Sequence, residues 1–296
     1  MGRDPKPAKP ALASEQVGHF FLDTERGRDR LEYTEYGSGD AWVVLLPGLL
    51  IPRRMHDGLA RALASSGAHV VTLDLLGHGG SDKPEDPLVY SMTSFGEQVV
   101  ALLDHLGAPQ AVVGGTSLGA NVALEVADLA PDRVRGLMVE MPVLDNALEA
   151  AIVAFAPLLM TARFLPFAVT GVRVVTRAVP RRLTPFWVAL GLDVLDVKPG
   201  TVAAYVHGLF FGRTAPPVRD RARMTMPALV IGHPRDPLHH LADAELLAAQ
   251  LPSSSFVASK GILEWRLRPE RLNLVATRFV LDCWRGPRRS RRPRSS

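Results

Sequence analysis

The stretch Val112-Val113-Gly114-Gly115-Thr116-Ser117-Leu118-Gly119-Ala120-Asn121 decides the fold of this chain. It begins in an apolar run typical of a buried strand and leads into a helical pattern that ends at Leu129. Between the two, Gly115, Ser117 and Gly119 form a G-x-S-x-G pattern. A serine in so tight a strand-to-helix turn projects its hydroxyl above the sheet, and only glycines let the neighbouring backbones approach. Ser117 is therefore a candidate nucleophile.

Strand and helix patterns alternate on both sides of this turn. Eight short runs are predicted as strands: His19–Leu22, Arg30–Tyr36, Trp42–Leu46, His69–Leu73, Ala111–Gly114, Arg135–Glu140, Ala228–Gly232 and Phe256–Ala258. Five stretches are predicted as helices: Met55–Ser65, Thr93–Leu106, Leu118–Leu129, Ala242–Leu251 and Pro269–Trp284. The later strands are apolar throughout, as expected when helices cover both faces of parallel strands. The pattern predicts an α/β protein with a doubly wound, mostly parallel, eight-stranded sheet.

One segment interrupts the alternation. Residues 145–223 contain apolar helical stretches separated by prolines, so we predict a helical insertion there. The α/β core would then comprise residues 14–144 and 224–284. Residues 1–13 and the Arg-, Pro- and Ser-rich residues 285–296 are predicted to be disordered, because they cannot bury enough apolar surface to offset the entropy of ordering.

Composition and charge indicate a globular protein and argue against a nucleic-acid-binding function. The 296 residues are 47% hydrophobic and 22% charged, the mixture of an ordinary water-soluble globular protein. The net charge of +4 comes from the ends: residues 285–296 carry six arginines and no acid, and the body between the two ends is net negative. We therefore expect no specific nucleic-acid partner, and only a weak contact between the basic tail and anionic surfaces. Nothing in the sequence predicts the oligomeric state.

Features that the sequence lacks predict the cellular location and the absence of a cofactor. Cys283 is the only cysteine, and the first ten residues contain no apolar segment of a secretory signal, which favours the cytoplasm. The most apolar stretch, 150–160, is shorter than the ~20 residues of a membrane-spanning helix. The sequence has no Walker A loop, dinucleotide-binding glycine motif or paired cysteines, so we expect neither a cofactor nor a metal.

Further landmarks resemble the α/β-hydrolase fold superfamily of esterases, lipases and epoxide hydrolases. Leu45-Leu46-Pro47-Gly48-Leu49-Leu50 is similar to the family's loop after the third strand, and the run from Asp74 to Pro84, DLLGHGGSDKP, is similar to its D-x-x-G-x-G-x-S loop. The insertion at 145–223 falls where the family carries its cap domain. The resemblance covers residues 18–284 and implies a serine hydrolase, most readily a carboxylic-ester hydrolase. A serine at the turn argues against the branches that use an aspartate nucleophile.

The resemblance also implies an oxyanion hole and an acid. The backbone amides of Leu49 and Leu118 would stabilise the oxyanion, although Pro47 stands where the family usually has histidine. The family's acid follows the seventh strand, and Asp236 in LVIGHPRDP occupies that position. A carboxylate there would orient an imidazole and stabilise its positive charge. Glu140 and Asp145, near the end of the sixth strand, are weaker candidates for this acid.

The base is where the sequence departs from the family. The family's histidine follows the eighth strand, but that position is Ile262, and residues 252–270 contain no histidine. His239 is the best candidate for a relocated base, because it follows Asp236 by three residues on a loop expected to border the site. His233, His207 and Glu264 are weaker candidate bases. A serine hydroxyl needs an adjacent base, so a catalytically impaired member that binds a small ligand or a partner is the second hypothesis; lyase or acyl-transfer chemistry is a further one.

Apolar side chains of the insertion suggest the substrate. If they roof the pocket, they predict a small hydrophobic substrate; if they only pack on the core, they predict nothing about it. These side chains are Phe155, Leu158, Met160, Phe164, Phe167, Phe186, Trp187, Phe210 and Phe211.

Overall fold

A computed structural model describes residues 14–24, 27–144, 153, 156, 157, 159–210 and 212–285. Its strands are β1 Glu15–Thr24, β2 Gly27–Tyr36, β3 Ala41–Leu46, β4 Ala68–Asp74, β5 Ala111–Thr116, β6 Val134–Glu140, β7 Ala228–Gly232 and β8 Ser254–Ala258. Its helices are α1 Asp57–Ser65, α2 Met92–His105, α3 Leu118–Leu129, α4 Pro166–Arg177, α5 Phe186–Val194, α6 Pro199–Phe210, α7 Val218–Arg221, α8 Leu241–Gln250, α9 Glu264–Leu267 and α10 Glu270–Trp284. Residues 159–164 are also helical.

All eight strands form one sheet in the order β1-β2-β4-β3-β5-β6-β7-β8. β1 pairs antiparallel with β2, and β2 antiparallel with β4, whereas the pairs β4-β3, β3-β5, β5-β6, β6-β7 and β7-β8 are parallel. The predicted doubly wound, mostly parallel, eight-stranded sheet is confirmed. The carboxyl ends of β5, β6 and β7, which are adjacent in the sheet, carry the turn at Ser117 and the loops that follow Glu140 and Gly232.

Strand β3 shows why the sheet is covered on both sides. Successive side chains of a strand point to opposite faces. Val44 and Leu46 belong to the larger apolar cluster, with side chains of α2 and α3, whereas Val43 and Leu45 belong to the second cluster, with side chains of α1 and α10. All four are fully buried. The continuously apolar run of this strand is thus explained by two cores.

Each helix of the core buries one face, as the spacing of its apolar residues predicts. In α10 the buried residues are Leu272, Ala276, Val280 and Cys283, three or four positions apart, which places them on one side of a helix with 3.6 residues per turn. The bounds of α3 are those predicted, and the other four predicted helices agree to within two residues.

The segment between β6 and β7 is helical and contains no strand among its described residues. It contacts the core through polar groups as well as apolar ones: the Asn121 side-chain amide donates to the Thr214 carbonyl at 2.7 Å, and Arg54 pairs with Asp193. The predicted disordered residues 1–13 and 286–296, and the start of the predicted insertion at 145–152, lie outside the described residues. Within the described chain, no helix combines the length and apolarity needed to cross a bilayer.

Candidate functional site

Ser117 occupies the turn between β5 and α3 in a strained backbone conformation. Its φ is 56°, in the left-handed region that side chains other than glycine rarely adopt. The conformation is held from both sides: the Ser117 amide donates to the Glu140 carbonyl at 2.9 Å, and the Ser117 carbonyl accepts from the Asn121 amide at 3.1 Å. Such strain clusters at functional sites, and here it directs the hydroxyl away from the strand.

The two glycines of the motif are required by close backbone contacts. A Cβ on Gly115 would lie 2.4 Å from the carbonyl carbon of Gly119, and a Cβ on Gly119 would lie 2.2 Å from the Leu46 carbonyl oxygen. Neither distance is possible for a real side chain. The G-x-S-x-G pattern is therefore a packing requirement of β3, β5 and α3 at this turn.

Asp236, His239 and Ser117 form a continuous hydrogen-bonded chain. The Nε2 atom of His239 lies 2.8 Å from the Oγ of Ser117, and its Nδ1 lies 3.0 Å from Oδ2 of Asp236. The side chains of His239 and Asp236 are 13% and 5% exposed, so the site is shielded but reached by solvent. A nucleophile bonded to a base, which is bonded in turn to an orienting carboxylate, is the arrangement that activates a serine.

The loop after β7 builds this arrangement locally. Arg235 has a φ of 61°, and the turn it makes lets Oδ1 of Asp236 accept from the amides of Leu238 and His239, at 2.9 and 3.0 Å. Burial by itself raises the pKa of Asp236, but these two donors and the imidazole outweigh it and hold the pKa below its usual range. The carboxylate is therefore ionised and orients the ring.

The two amides expected to bind an oxyanion lie at the start of α3 and in the loop after β3. Leu118 is the first residue of α3, and the first amides of a helix have no partner within it and favour negative charge. Leu49 lies in a turn closed by the Ile51 amide, which donates to the Gly48 carbonyl at 3.0 Å. A Cβ on Gly48 would lie 3.7 Å from the Thr116 carbonyl oxygen, so this turn packs against the strand that leads to Ser117.

His78 supports the turn at Leu49 and does not contact Ser117. Its Nε2 accepts from the Leu50 amide at 3.1 Å, and its Nδ1–H donates to the Leu76 carbonyl at 3.2 Å. The hydroxyl of Tyr205, on α6, lies 3.2 Å from the same Nε2. Complete burial lowers the pKa of His78, so the ring stays neutral and keeps an acceptor for the Leu50 amide.

Glu140 and His233, the weaker candidates for acid and base, are paired with each other. Oε1 of Glu140 lies 3.0 Å from Nε2 of His233, and its Oε2 accepts from Arg266 at 2.7 Å and from the Thr116 hydroxyl. The Ser259 hydroxyl lies 3.0 Å from Nδ1 of His233. Burial by itself raises the pKa of Glu140, but Arg266 and His233 outweigh it and hold the pKa far below its usual range. Glu140 is thus a buried, ionised anchor of this network.

Four other residues that the sequence analysis singled out remain to be placed: Glu264, His207, Asp145 and Ile262. Glu264 accepts from Arg271 at 2.7 and 2.8 Å, and this ion pair lowers the pKa of Glu264 to about 2. His207 lies on α6, and Asp145 lies outside the described residues. Ile262 lies between β8 and α9 and is partly exposed. Of the candidate bases, His239 is the one whose ring contacts the Ser117 hydroxyl.

Of the apolar side chains expected to roof the site, Met160, Phe164 and Phe167 are exposed to solvent. Phe186 and Trp187 line, with Trp265, a cavity of about 270 Å³ whose lining does not include Ser117. Phe155, Leu158, Phe211 and the side chain of Phe210 lie outside the described residues.

The sequence did not reveal the network around Glu140. One signal was present: Glu140 and Gly232 end adjacent parallel strands, so polar groups that follow them meet at one edge of the sheet. Arg266 and Thr116 carried no signal, because their contacts depend on the way α9 folds back over β5 and β6. In the described part of the chain, no group of three acidic, histidine or cysteine side chains is placed to hold a metal ion.

Comparisons with known proteins agree with this fold. A family model of the alpha/beta hydrolase fold matches residues 41–168. A 3-oxoadipate enol-lactonase of Acinetobacter baylyi is 26% identical over 246 residues, which cover 79% of this chain and 87% of that protein. Epoxide hydrolase A of Mycobacterium tuberculosis is 37% identical over 123 residues, 40% of this chain and 37% of that protein. A thermophilic esterase from Thermogutta terrifontis superposes with a TM-score of 0.70 at 22% identity, over 90% of this chain and 99% of that one.

The chain therefore has the alpha/beta hydrolase fold, as the family match over residues 41–168 and the solved structures indicate. Its relatives and structural neighbours include esterases, enol-lactonases and epoxide hydrolases, and one relative is named an acetyltransferase component, which supports an enzyme.

Proposed function

We propose that this protein is a serine hydrolase that cleaves a carboxylic ester, with Ser117 as nucleophile, His239 as general base and Asp236 as the carboxylate that orients it. The observation that carries the proposal is the 2.8 Å contact between Ser117 Oγ and His239 Nε2, continued by the 3.0 Å contact to Asp236. This geometry meets the distance required for proton transfer from a nucleophile to its base.

The reaction follows from these contacts. His239 Nε2 takes the Ser117 proton while Oγ attacks the ester carbonyl, and the amides of Leu49 and Leu118 stabilise the oxyanion that forms. The imidazolium, stabilised by Asp236, then protonates the leaving alkoxide. A water molecule, deprotonated by His239, attacks the acyl-enzyme; the second tetrahedral species collapses, the acid leaves and Ser117 regains its proton.

The proposed base has moved along the chain relative to the family pattern. The family's histidine follows the eighth strand, where this chain has Ile262. His239 instead comes from the loop after β7, the loop that also carries Asp236. Because both residues sit on one short loop held by the bonds from Leu238 and His239 to Asp236, the acid and the base are oriented together.

We propose a small hydrophobic ester as substrate, with lactones included. One relative, which matches over most of its own length, is named an enol-lactonase, and a lactone presents the same carbonyl and alkoxide in a ring. Leu118 belongs to the larger apolar cluster and Leu49 packs against it, so the residues that carry the proposed oxyanion amides are apolar and suit an apolar acyl group. We propose that the insertion acts as the cap of this site and, from the single buried Cys283, that the enzyme works in the cytoplasm.

A fluorophosphonate probe and nitrophenyl esters test the proposal together. We expect the wild-type protein to be labelled and to hydrolyse nitrophenyl acetate or butyrate, and Ser117→Ala to lose both. Ser66→Ala, at an exposed position on the C-cap of α1, is the matched control and should be labelled like wild type. Wild type without labelling, and without turnover above Ser117→Ala, would reject the enzyme and favour a catalytically impaired binding protein.

A further inference from the structure

Helix α4 presents an apolar face to solvent. Phe167, Val174 and Val175, seven and eight positions apart and so on one side of the helix, are 72%, 65% and 68% exposed. Phe164, at the end of the helical stretch 159–164, is 69% exposed. We call these four side chains the outer face. Clustered exposed apolar groups of this kind mark interaction surfaces in soluble proteins.

The opposite side of α4 faces the body and is partly polar. Thr176 is buried, and Arg173 donates from Nε to the carbonyl and the carboxylate of Asp196, at 2.8 and 3.2 Å. Val169 packs against the core. A surface helix of a water-soluble protein turns its apolar stripe to the core. In α4 the larger apolar surface points outward, so packing within the described chain does not explain it.

The charge around the outer face is net positive, although Arg173 and Arg177 pair with Asp196, and Arg181 pairs with Asp193. Residues 153–183 contain five arginines and no aspartate or glutamate. Arg163, beside Phe164, and Arg182, shortly after α4, are exposed. Elsewhere in the sequence, residues 285–296 contain six further arginines without an acid. A partner that covers this region therefore needs to be both apolar and negatively charged.

An anionic lipid surface satisfies both requirements, whereas a second copy of the chain does not. In a twofold contact through the outer face, each subunit brings its own arginines against those of the other, and like charges oppose association. A bilayer with anionic lipids receives Phe164 and Phe167 at the acyl boundary while the arginine side chains reach the headgroup phosphates. We propose that the outer face of α4 docks this protein reversibly on an anionic membrane surface.

Co-sedimentation with lipid vesicles tests this docking. We expect the full-length protein to bind vesicles of phosphatidylcholine with phosphatidylglycerol, to bind pure phosphatidylcholine vesicles far less, and to be released by salt. The variant Phe164→Glu with Phe167→Glu should bind the anionic vesicles about tenfold more weakly or worse, because it removes two rings that enter the acyl boundary and adds two charges that the anionic lipids repel. Leu274→Glu, at a 72% exposed leucine of α10, is the matched control and should bind like wild type.

A variant without the C-terminal arginines distinguishes their contribution to vesicle binding from that of the outer face. Replacing the six arginines of 285–296 by serine should weaken binding without removing its dependence on Phe164 and Phe167. The proposal is wrong if wild type ignores anionic vesicles, or if the double phenylalanine variant binds as wild type does. It is also wrong if that variant converts a dimer into a monomer in sedimentation velocity, because the occupant would then be a second copy. Circular dichroism melting checks that each variant is folded.

Discussion

Among the described residues, two histidine–carboxylate pairs lie at the edge of the sheet where β6 and β7 end. In each pair a ring nitrogen lies 3.0 Å from a carboxylate oxygen: His239 with Asp236, and His233 with Glu140. Both histidines belong to the segment that follows β7. Only in the first pair does the second nitrogen meet a reactive group, the hydroxyl of Ser117.

The difference lies in what surrounds each pair. His233 is fully enclosed, and its second nitrogen meets the Ser259 hydroxyl, while Glu140 is held by Arg266 and Thr116. His239 and Asp236 are held by backbone amides and keep partial contact with solvent. An imidazole next to a carboxylate is thus a structural anchor in one case and a proposed catalytic unit in the other, and its position relative to Ser117 separates the two.

Replacing each of the two histidines by alanine should give the largest difference in activity between the two pairs. We expect His239→Ala to lower kcat/KM for a nitrophenyl ester by roughly 10⁴-fold, since a serine without its base loses most of its reactivity. His233→Ala should keep kcat/KM within about fivefold and instead lower the free energy of unfolding by about 2 kcal/mol, because it removes a hydrogen bond to a buried charge.

Urea unfolding and steady-state kinetics on both variants provide the check. If His233→Ala loses the activity and His239→Ala keeps it, the roles of the two pairs are reversed. Comparable losses in both variants, without a stability change in His233→Ala, would show that the two pairs act as one unit.

Asp236→Asn should reduce turnover by roughly 10²- to 10⁴-fold, because the amide no longer favours the required tautomer or stabilises the imidazolium. The wild-type pKa of Asp236 lies below its usual value, so the carboxylate is ionised throughout the neutral range and the deficit should persist there. A pH series of kcat/KM measures it. Wild-type rates in Asp236→Asn would remove this residue from the proposed triad.

Glu140→Gln should affect stability more than chemistry. The folded-state pKa of Glu140 is lowered, so its contribution to stability is complete above the unfolded value of about 4.5 and disappears as the pH falls through the folded value. At pH 7 the variant should lose about 3 kcal/mol, the cost of breaking a buried pair. The difference from wild type, measured by urea unfolding, should shrink as the pH falls below about 4.5. A gap that widens in acid would contradict the assignment.

Ile262→His should have the smallest effect. It restores a histidine at the family's position, but His239 already accepts from Ser117 Oγ. The Ser117 hydroxyl therefore has no second proton for another imidazole to accept. We expect kcat/KM to stay within about threefold of wild type. A tenfold gain would show that the His239 contact is not productive and that the family's position is still competent.

The sheet could be predicted because its signals are local. Val112 to Asn121 contains a buried strand, a turn that demands glycine and a helix, and each step is set by neighbours in the chain. The pairing of Asp236 with His239 was also within reach, because the two residues are three positions apart. The partners of Glu140 were not, since His233, Arg266 and Thr116 come from three separate elements that meet only at the sheet edge.

By itself, the sequence determined the order of strands and helices, the strained serine turn and the absence of a histidine after β8. These follow from hydrophobic periodicity and steric demands, which act over a few residues. Only the tertiary structure decided which imidazole faces Ser117, which carboxylate is an anchor, and that α4 turns its apolar side outward. Those properties depend on distances between side chains far apart in the chain, which packing alone determines.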